Sequence, residues 1–193
     1  MKRVFSVIAV MAALSAFACY ARAESSPIAT YSVNSKTNDI GGSFGTWNKD
    51  EGDSTQGCKM SFSSGTKHGD KGYSLQLDYD VDSPNPAYNG FWMKLQNKDI
   101  SSYDKLNFWV KGDDTAGFSP AIKLELKNSK GEVGRFTLTT ITVDWQEVSI
   151  PLSQFAGLSD LSSMTEFVIV FDDITCAPKK VGTIYIDDIA FVK

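Results

Sequence analysis

WQEVSIPLSQFAGLSDLSSMTEFVIVFDDITCAPKKVGTIYIDDIAFVK, from Trp145 to Lys193, is the stretch that decides the fold class. Three of its runs alternate: QEVSIPL (146–152), EFVIVFD (166–172) and GTIYIDDIAFV (182–192). Val148, Ile150 and Leu152 share one side of the first. Ile184 and Ile186, continued by Ile189 and Phe191, share one side of the last. A strand turns successive side chains to opposite faces, so a period of two marks half-buried antiparallel sheet. Pro151 cannot donate to a ladder, which predicts an edge strand or a bulge at that point. The Ser-rich segment from Leu152 to Met164 is the only one with a helical pattern, and a weak one. It reads as a loop with one turn.

Strands and turns alternate upstream as well. KMSFSS (59–64) and YSLQLDYDV (73–81) are split by the turn segment GTKHGDKG (65–72). DSPNPAYNG (82–90), with two prolines and several Asn or Asp residues, is a loop signal. GFWMKLQ (90–96) and KLNFWVKG (105–112) follow on either side of the acidic connector DISSYD. AIKLELKN (121–128) and VGRFTLTTI (133–141) are joined by the short hairpin-like link NSKGE, with Gly131. About nine short strands with no helices between them predict a single all-β domain, an antiparallel β-sandwich of jelly-roll type. Glu24 to Asp53 is polar and Gly-rich, and its strands are not fixed by pattern.

The N-terminus reads as a secretory signal peptide, residues 1–23. Lys2 and Arg3 precede an apolar run from Val4 to Ala18, and Ala21-Arg22-Ala23 supplies small residues for cleavage. Cys19 as an acylated lipoprotein residue is the alternative. The domain is then residues 24–193, enough for one substantial core. Loss of Lys2, Arg3 and Arg22 takes the basic count from 19 to 16 against 23 acidic residues, a net charge of −7. With no basic tract, nucleic acid and anionic membrane surfaces are excluded as partners. No later segment is apolar and long enough to insert in a membrane. The expected location is secreted, periplasmic or cell-surface. Cys58 and Cys176, two cysteines in an exported chain, read as a disulfide; two buried free thiols are the alternative. No Cys/His cluster supports zinc.

The ordered set of segments also resembles a known family. A Trp-Gln opening, the I-P-L-S-x-F run at 150–155 and the closing I-Y-I-D-D-I-x-F strand at 184–191 look like the end of a galactose-binding-domain-like β-sandwich. GGSFGTWNKDEGDSTQG, YSLQLDYDVDSP, YNGFWMKL, YDKLNFWVKGD and AIKLELKNSKGE are similar, in order, to elements of carbohydrate-binding modules of the family-11 type. The likeness spans roughly residues 40–193. It implies a non-catalytic module whose partner is a polysaccharide or oligosaccharide. It also implies a structural calcium where the first and last strands meet, with Asp187 as one ligand. The expected early acidic partner is matched only by Asp39.

Sugar rings stack their C–H faces on aromatic rings and give their hydroxyls to planar polar groups. In YNGFWMKL, Phe91, Met93 and Leu95 face the core, so Trp92 and Lys94 face out. In KLNFWVKG, Leu106, Phe108 and Val110 face in, so Trp109 faces out. Two outward tryptophans on apparently neighbouring strands are candidate ligand platforms, unless a loop covers one of them. Tyr88 is a candidate pocket wall, while Trp47 and Trp145 read as packing anchors. Glu125 and Lys123 turn outward with Arg135, the sole arginine after residue 23. They are candidates to bind hydroxyls; a cross-strand ion pair is the alternative.

Asp113-Asp114, Asp172-Asp173 and Asp187-Asp188 are adjacent doublets whose side chains point to opposite faces, so none is a glycosidase acid/base pair by itself. His68 reads as a solvated turn residue. The reading is a secreted module that binds a neutral glycan without changing it. The competing class is a structural or protein-interaction sandwich of the cell surface, with a protein partner and no sugar.

Overall fold

The computed structural model describes residues 24–193. The segment read as a signal peptide, with Cys19, lies outside the described residues. Eleven strands form: β1 (Ser25–Ala29), β2 (Phe44–Asn48), β3 (Gly57–Ser63), β4 (Ser74–Asp80), β5 (Tyr88–Lys98), β6 (Lys105–Gly112), β7 (Ile122–Asn128), β8 (Val133–Leu138), β9 (Gln146–Pro151), β10 (Met164–Asp172) and β11 (Val181–Val192). The segment after Pro151 contributes one 3₁₀ turn, Leu152–Gln154, as its weak pattern predicts. No helix among the described residues is long and apolar enough to cross a membrane.

The strands make two antiparallel sheets, a β-sandwich. One has the order β3-β4-β11-β6-β9, with β1 added to the far end of β11. The other has the order β2-β5-β10-β7-β8. Pro151 ends β9, which is an edge strand, so its missing N–H costs no ladder bond. Between the sheets lie the inward halves of the alternating runs: Leu75, Leu77 and Tyr79 of β4, Phe91, Met93 and Leu95 of β5, and Phe167, Ile169 and Phe171 of β10, all buried. Tyr79 and Phe171 stack across the gap, 4.2 Å apart and 6° from parallel. The two ends of the described chain meet at the first sheet. The Lys193 amide donates to the Glu24 carbonyl at 3.0 Å, and Lys193 Nζ pairs with the Glu24 carboxylate.

The sequence underestimates this fold in one respect. β1 and β2 arise in the Gly-rich segment whose strands pattern could not fix. It also misjudges the cysteines. Cys58 on β3 faces the core beside Tyr79. Cys176, in the turn after β10, points its Sγ at the Ala121 carbonyl, 3.8 Å away. Both are buried free thiols, and the expected cross-link is not formed. Each is packed as a small apolar core residue, and burial pushes the thiols up to about 12 and about 11 respectively.

Candidate functional site

The outer face of the β2-β5-β10-β7-β8 sheet carries a concavity of about 540 Å³. The ladder registers assemble it in rows. Gly45, Trp92, Val168, Glu125 and Arg135 stand side by side across the five strands. One row over come Trp47, Gly90, Val170, Lys123 and Thr137. On the other side lie Lys94, Glu166 and Lys127. Trp92 alternates against buried Phe91 and Met93, so it leaves the core and lines the groove as the sequence predicts.

One end of the groove is aromatic. Trp47 meets Tyr88 edge to face, ring centres 5.7 Å apart, and Trp92 adjoins them with Val168 and Val170 as floor. Trp47 is therefore a groove residue and not the packing anchor expected. Lys49 sits 5.2 Å over the Tyr88 ring and Lys94 5.4 Å over Trp92, which adds cation–π attraction.

The rest of the groove is a band of charges that satisfy one another. Glu166 accepts from Lys94 and from Lys127, the latter at 2.9 Å. Glu125 accepts from Arg135 Nε at 3.1 Å and lies 3.8 Å from Lys127. Burial by itself raises the Glu166 carboxyl, but its hydrogen bonds and ion pairs with the two lysines outweigh that and hold it below the ordinary range. Glu125 and Arg135 thus do form a cross-strand pair, and they do so at the groove. Lys123 shares the sheet face but turns to Asp172, 2.9 Å away.

Glu166 is not singled out by the sequence, and Lys127, although it alternates outward with Lys123 and Glu125, is not among the site residues read there. EFVIVFD looks apolar on both sides, because Val168 and Val170 are outward residues that line the groove. The parity of Glu166 against Phe167 is the signal that would have found it.

Trp109 belongs elsewhere. β6 lies in the opposite sheet from β5, so the two tryptophans are not neighbours, contrary to the expectation of adjacent strands. The β3–β4 loop folds over Trp109. His68 stacks on its indole at 3.7 Å and 12°, and His68 Nδ1 contacts the Asp188 carboxylate at 2.9 Å. His68 is thus a clasp and not a solvated turn residue.

Asp187 lies under the same loop. It is buried; one of its oxygens accepts the His68 amide at 3.0 Å and the other the Asp188 amide at 2.9 Å. Burial, aided by the neighbouring Asp188 charge, pushes its carboxyl up to about 6. Asp39 accepts from the Thr30 amide, and the nearby Tyr31 hydroxyl is buried without a partner. Calcium takes six to eight oxygens. Among the described residues no three carboxylate, histidine or cysteine side chains converge there, and the Asp187 oxygens already hold main-chain amides.

Residues 31–193 match the family model described as carbohydrate binding domain 30. Among solved structures, the chain is similar to the family 11 carbohydrate-binding module of a cellulosomal cellulase of Clostridium thermocellum, with 16% identity and a TM-score of 0.63 over 89% of this chain and 96% of that one. It is similar to a family 11 module from the same organism in complex with a β-1,3-1,4-mixed-linked tetrasaccharide, with 17% identity and a TM-score of 0.64 over 89% and 96%. An exo-β-agarase matches with 17% identity and a TM-score of 0.56, over 77% of this chain and 22% of its own. At these identities the likeness is one of fold. No curated protein matches the chain.

Proposed function

The chain belongs to the carbohydrate binding domain 30 family, and on that premise we propose that its groove binds a neutral glycan without cleaving it. The observation that carries the reading is one concavity with an aromatic wall, Trp47, Tyr88 and Trp92, beside a band of paired charges. C–H faces of successive sugars stack on the wall. Hydroxyls take the remaining lone pairs and N–H groups of Glu125, Glu166, Lys94, Lys127 and Arg135, with Lys123 at the margin.

The charge arrangement favours binding over hydrolysis. A glycosidase keeps one carboxyl protonated as general acid opposite a second that is ionised. Glu166 is held ionised by two lysines, and Glu125 is engaged by Arg135 and Lys127. No metal takes part in this reading. We place the domain at residues 24–193, exported after removal of residues 1–23, with an N-terminus at Glu24.

The test is a glycan array followed by calorimetric titration. Soluble mixed-linkage β-glucan is the first probe, chosen because a family 11 module of this fold was solved with such an oligosaccharide. Saturable binding without release of reducing ends is the expected result. Silence across the array, with a specific protein captured instead, would replace this reading with the protein-interaction one.

A further inference from the structure

The groove wall is built from two copies of one tripeptide pattern. Gly45-Thr46-Trp47 lies on β2 and Gly90-Phe91-Trp92 on β5. The strands run antiparallel with Gly45 opposite Trp92 and Trp47 opposite Gly90. Each tryptophan thus faces the other pattern's glycine.

The glycines are there for space. Neither has a positive φ, in contrast to Gly41 or Gly131, so backbone freedom does not explain them. Glycine inside a strand weakens it, and it recurs where another group must approach closely. A Cβ at Gly45 would stand 3.1, 3.3 and 3.4 Å from Cζ2, Cε2 and Nε1 of Trp92. Those are the far atoms of the indole, so the ring leans across β2 instead of standing off the sheet. A Cβ at Gly90 would stand 3.3 Å from Nε1 of Trp47, and would run into the Ile169 carbonyl oxygen. Gly90 therefore serves β10 as well as Trp47, while at Gly45 the three nearest atoms all belong to Trp92.

We propose that Gly45 and Gly90 are positioning residues for glycan binding: paired notches that let the two indoles recline across the strand pair and form one continuous platform. The proposal rests on the groove reading above. Its consequence is that the platform fails when a notch is filled, although every aromatic ring and every charge remains. A side chain at position 45 props Trp92 up, so that the ring blocks the groove instead of lining it.

Gly45 is the position to test, because β2 is an edge strand and its backbone accepts an L-residue. Gly45→Val, Gly45→Ala, Trp92→Ala and the double variant Gly45→Val/Trp92→Ala would be titrated with soluble mixed-linkage β-glucan. Acrylamide quenching, referenced to Trp92→Phe, isolates the exposure of Trp92. Gly45→Val should weaken binding roughly tenfold to a hundredfold, the scale of a lost aromatic stack, with thermal stability retained and Trp92 more readily quenched. Gly45→Ala should shift both readouts the same way by less, and it carries the test if the valine variant does not fold. In the Trp92→Ala background Gly45→Val should change affinity by less than about twofold, because the two act through one ring.

Wild-type affinity and unaltered quenching in the folded Gly45 variants would overturn the notch while leaving the groove reading in place. A Gly45→Val loss that persists in full without Trp92 would also overturn it. A wild-type chain that binds none of a polysaccharide panel would overturn both.

Discussion

Trp92→Ala against Phe91→Ala is the sharpest test of which sheet face does the binding. The two residues are adjacent on β5 and point to opposite sides: Phe91 is fully buried, Trp92 half-buried in the groove. Fully burying a large aromatic ring covers about 150–250 Å². Removing a ring covered over half that area gives up about 100 Å² of burial, or ~2.5 kcal/mol at roughly 25 cal/mol per Å². No cavity penalty is added, because the space opens to solvent. Phe91→Ala leaves a hole between the sheets and should cost about 3–5 kcal/mol. Binding should show the reverse order. Trp92→Ala should lose about 1–3 kcal/mol of affinity for the glycan, by analogy with aromatic stacking on bases, which is about fivefold to a hundred-and-fiftyfold in Kd. Phe91→Ala, titrated well below its lowered melting point, should bind within about twofold of wild type, since it touches no ligand. The assay is calorimetric titration beside urea melts. If folded Phe91→Ala loses as much affinity as Trp92→Ala, or if Trp92→Ala loses none, the outer face of β5 is not the platform.

The Glu166 carboxyl titrates below 4.5 in the folded chain because two lysines hold it ionised. Its contribution to stability is therefore complete above that pH and is lost as pH falls through the folded value; urea midpoints of wild type and Glu166→Gln should converge on acidification. Lys127, which bridges both groove carboxylates, should on change to Met weaken glycan binding more than Lys123→Met does, as read by titration. Trp109→Ala should lower the urea midpoint yet leave affinity unchanged, because its indole lies under His68 on the opposite sheet. Cys58 and Cys176 should resist iodoacetamide at pH 8 in the native chain and both label after denaturation, since burial keeps the thiols protonated there.

Much of this molecule is readable in its alternation. Phe91-Trp92-Met93 and Leu106-Asn107-Phe108-Trp109-Val110 each give the correct inward and outward residues. What alternation does not give is the sheet to which a strand belongs. Parity is a local property, and pairing is set by contacts far apart in the chain. Trp92 and Trp109 read alike for that reason and end on opposite sides of the sandwich. Trp47 was hidden differently. Phe44-Gly45-Thr46-Trp47 alternates correctly, but over five residues in a Gly-rich, polar segment the pattern is too short to declare a strand. The Glu125–Arg135 pair is legible on the hairpin, whereas Glu166 is masked by Val168 and Val170, outward residues that line the groove and make the run look apolar on both sides.

The meeting of Glu24 and Lys193 on the far sheet has a practical meaning. Both ends of the described residues lie at the sheet opposite the groove, so a label, a resin or a neighbouring domain attached beyond either one would start from the far sheet and not from the groove rim. The proximity also permits a rewired chain, with residue 193 joined to residue 24 through a few glycines and new ends cut at the exposed Ser129–Lys130 turn of the β7–β8 hairpin. Such a permuted molecule would present the groove unchanged while moving its tether to the rim.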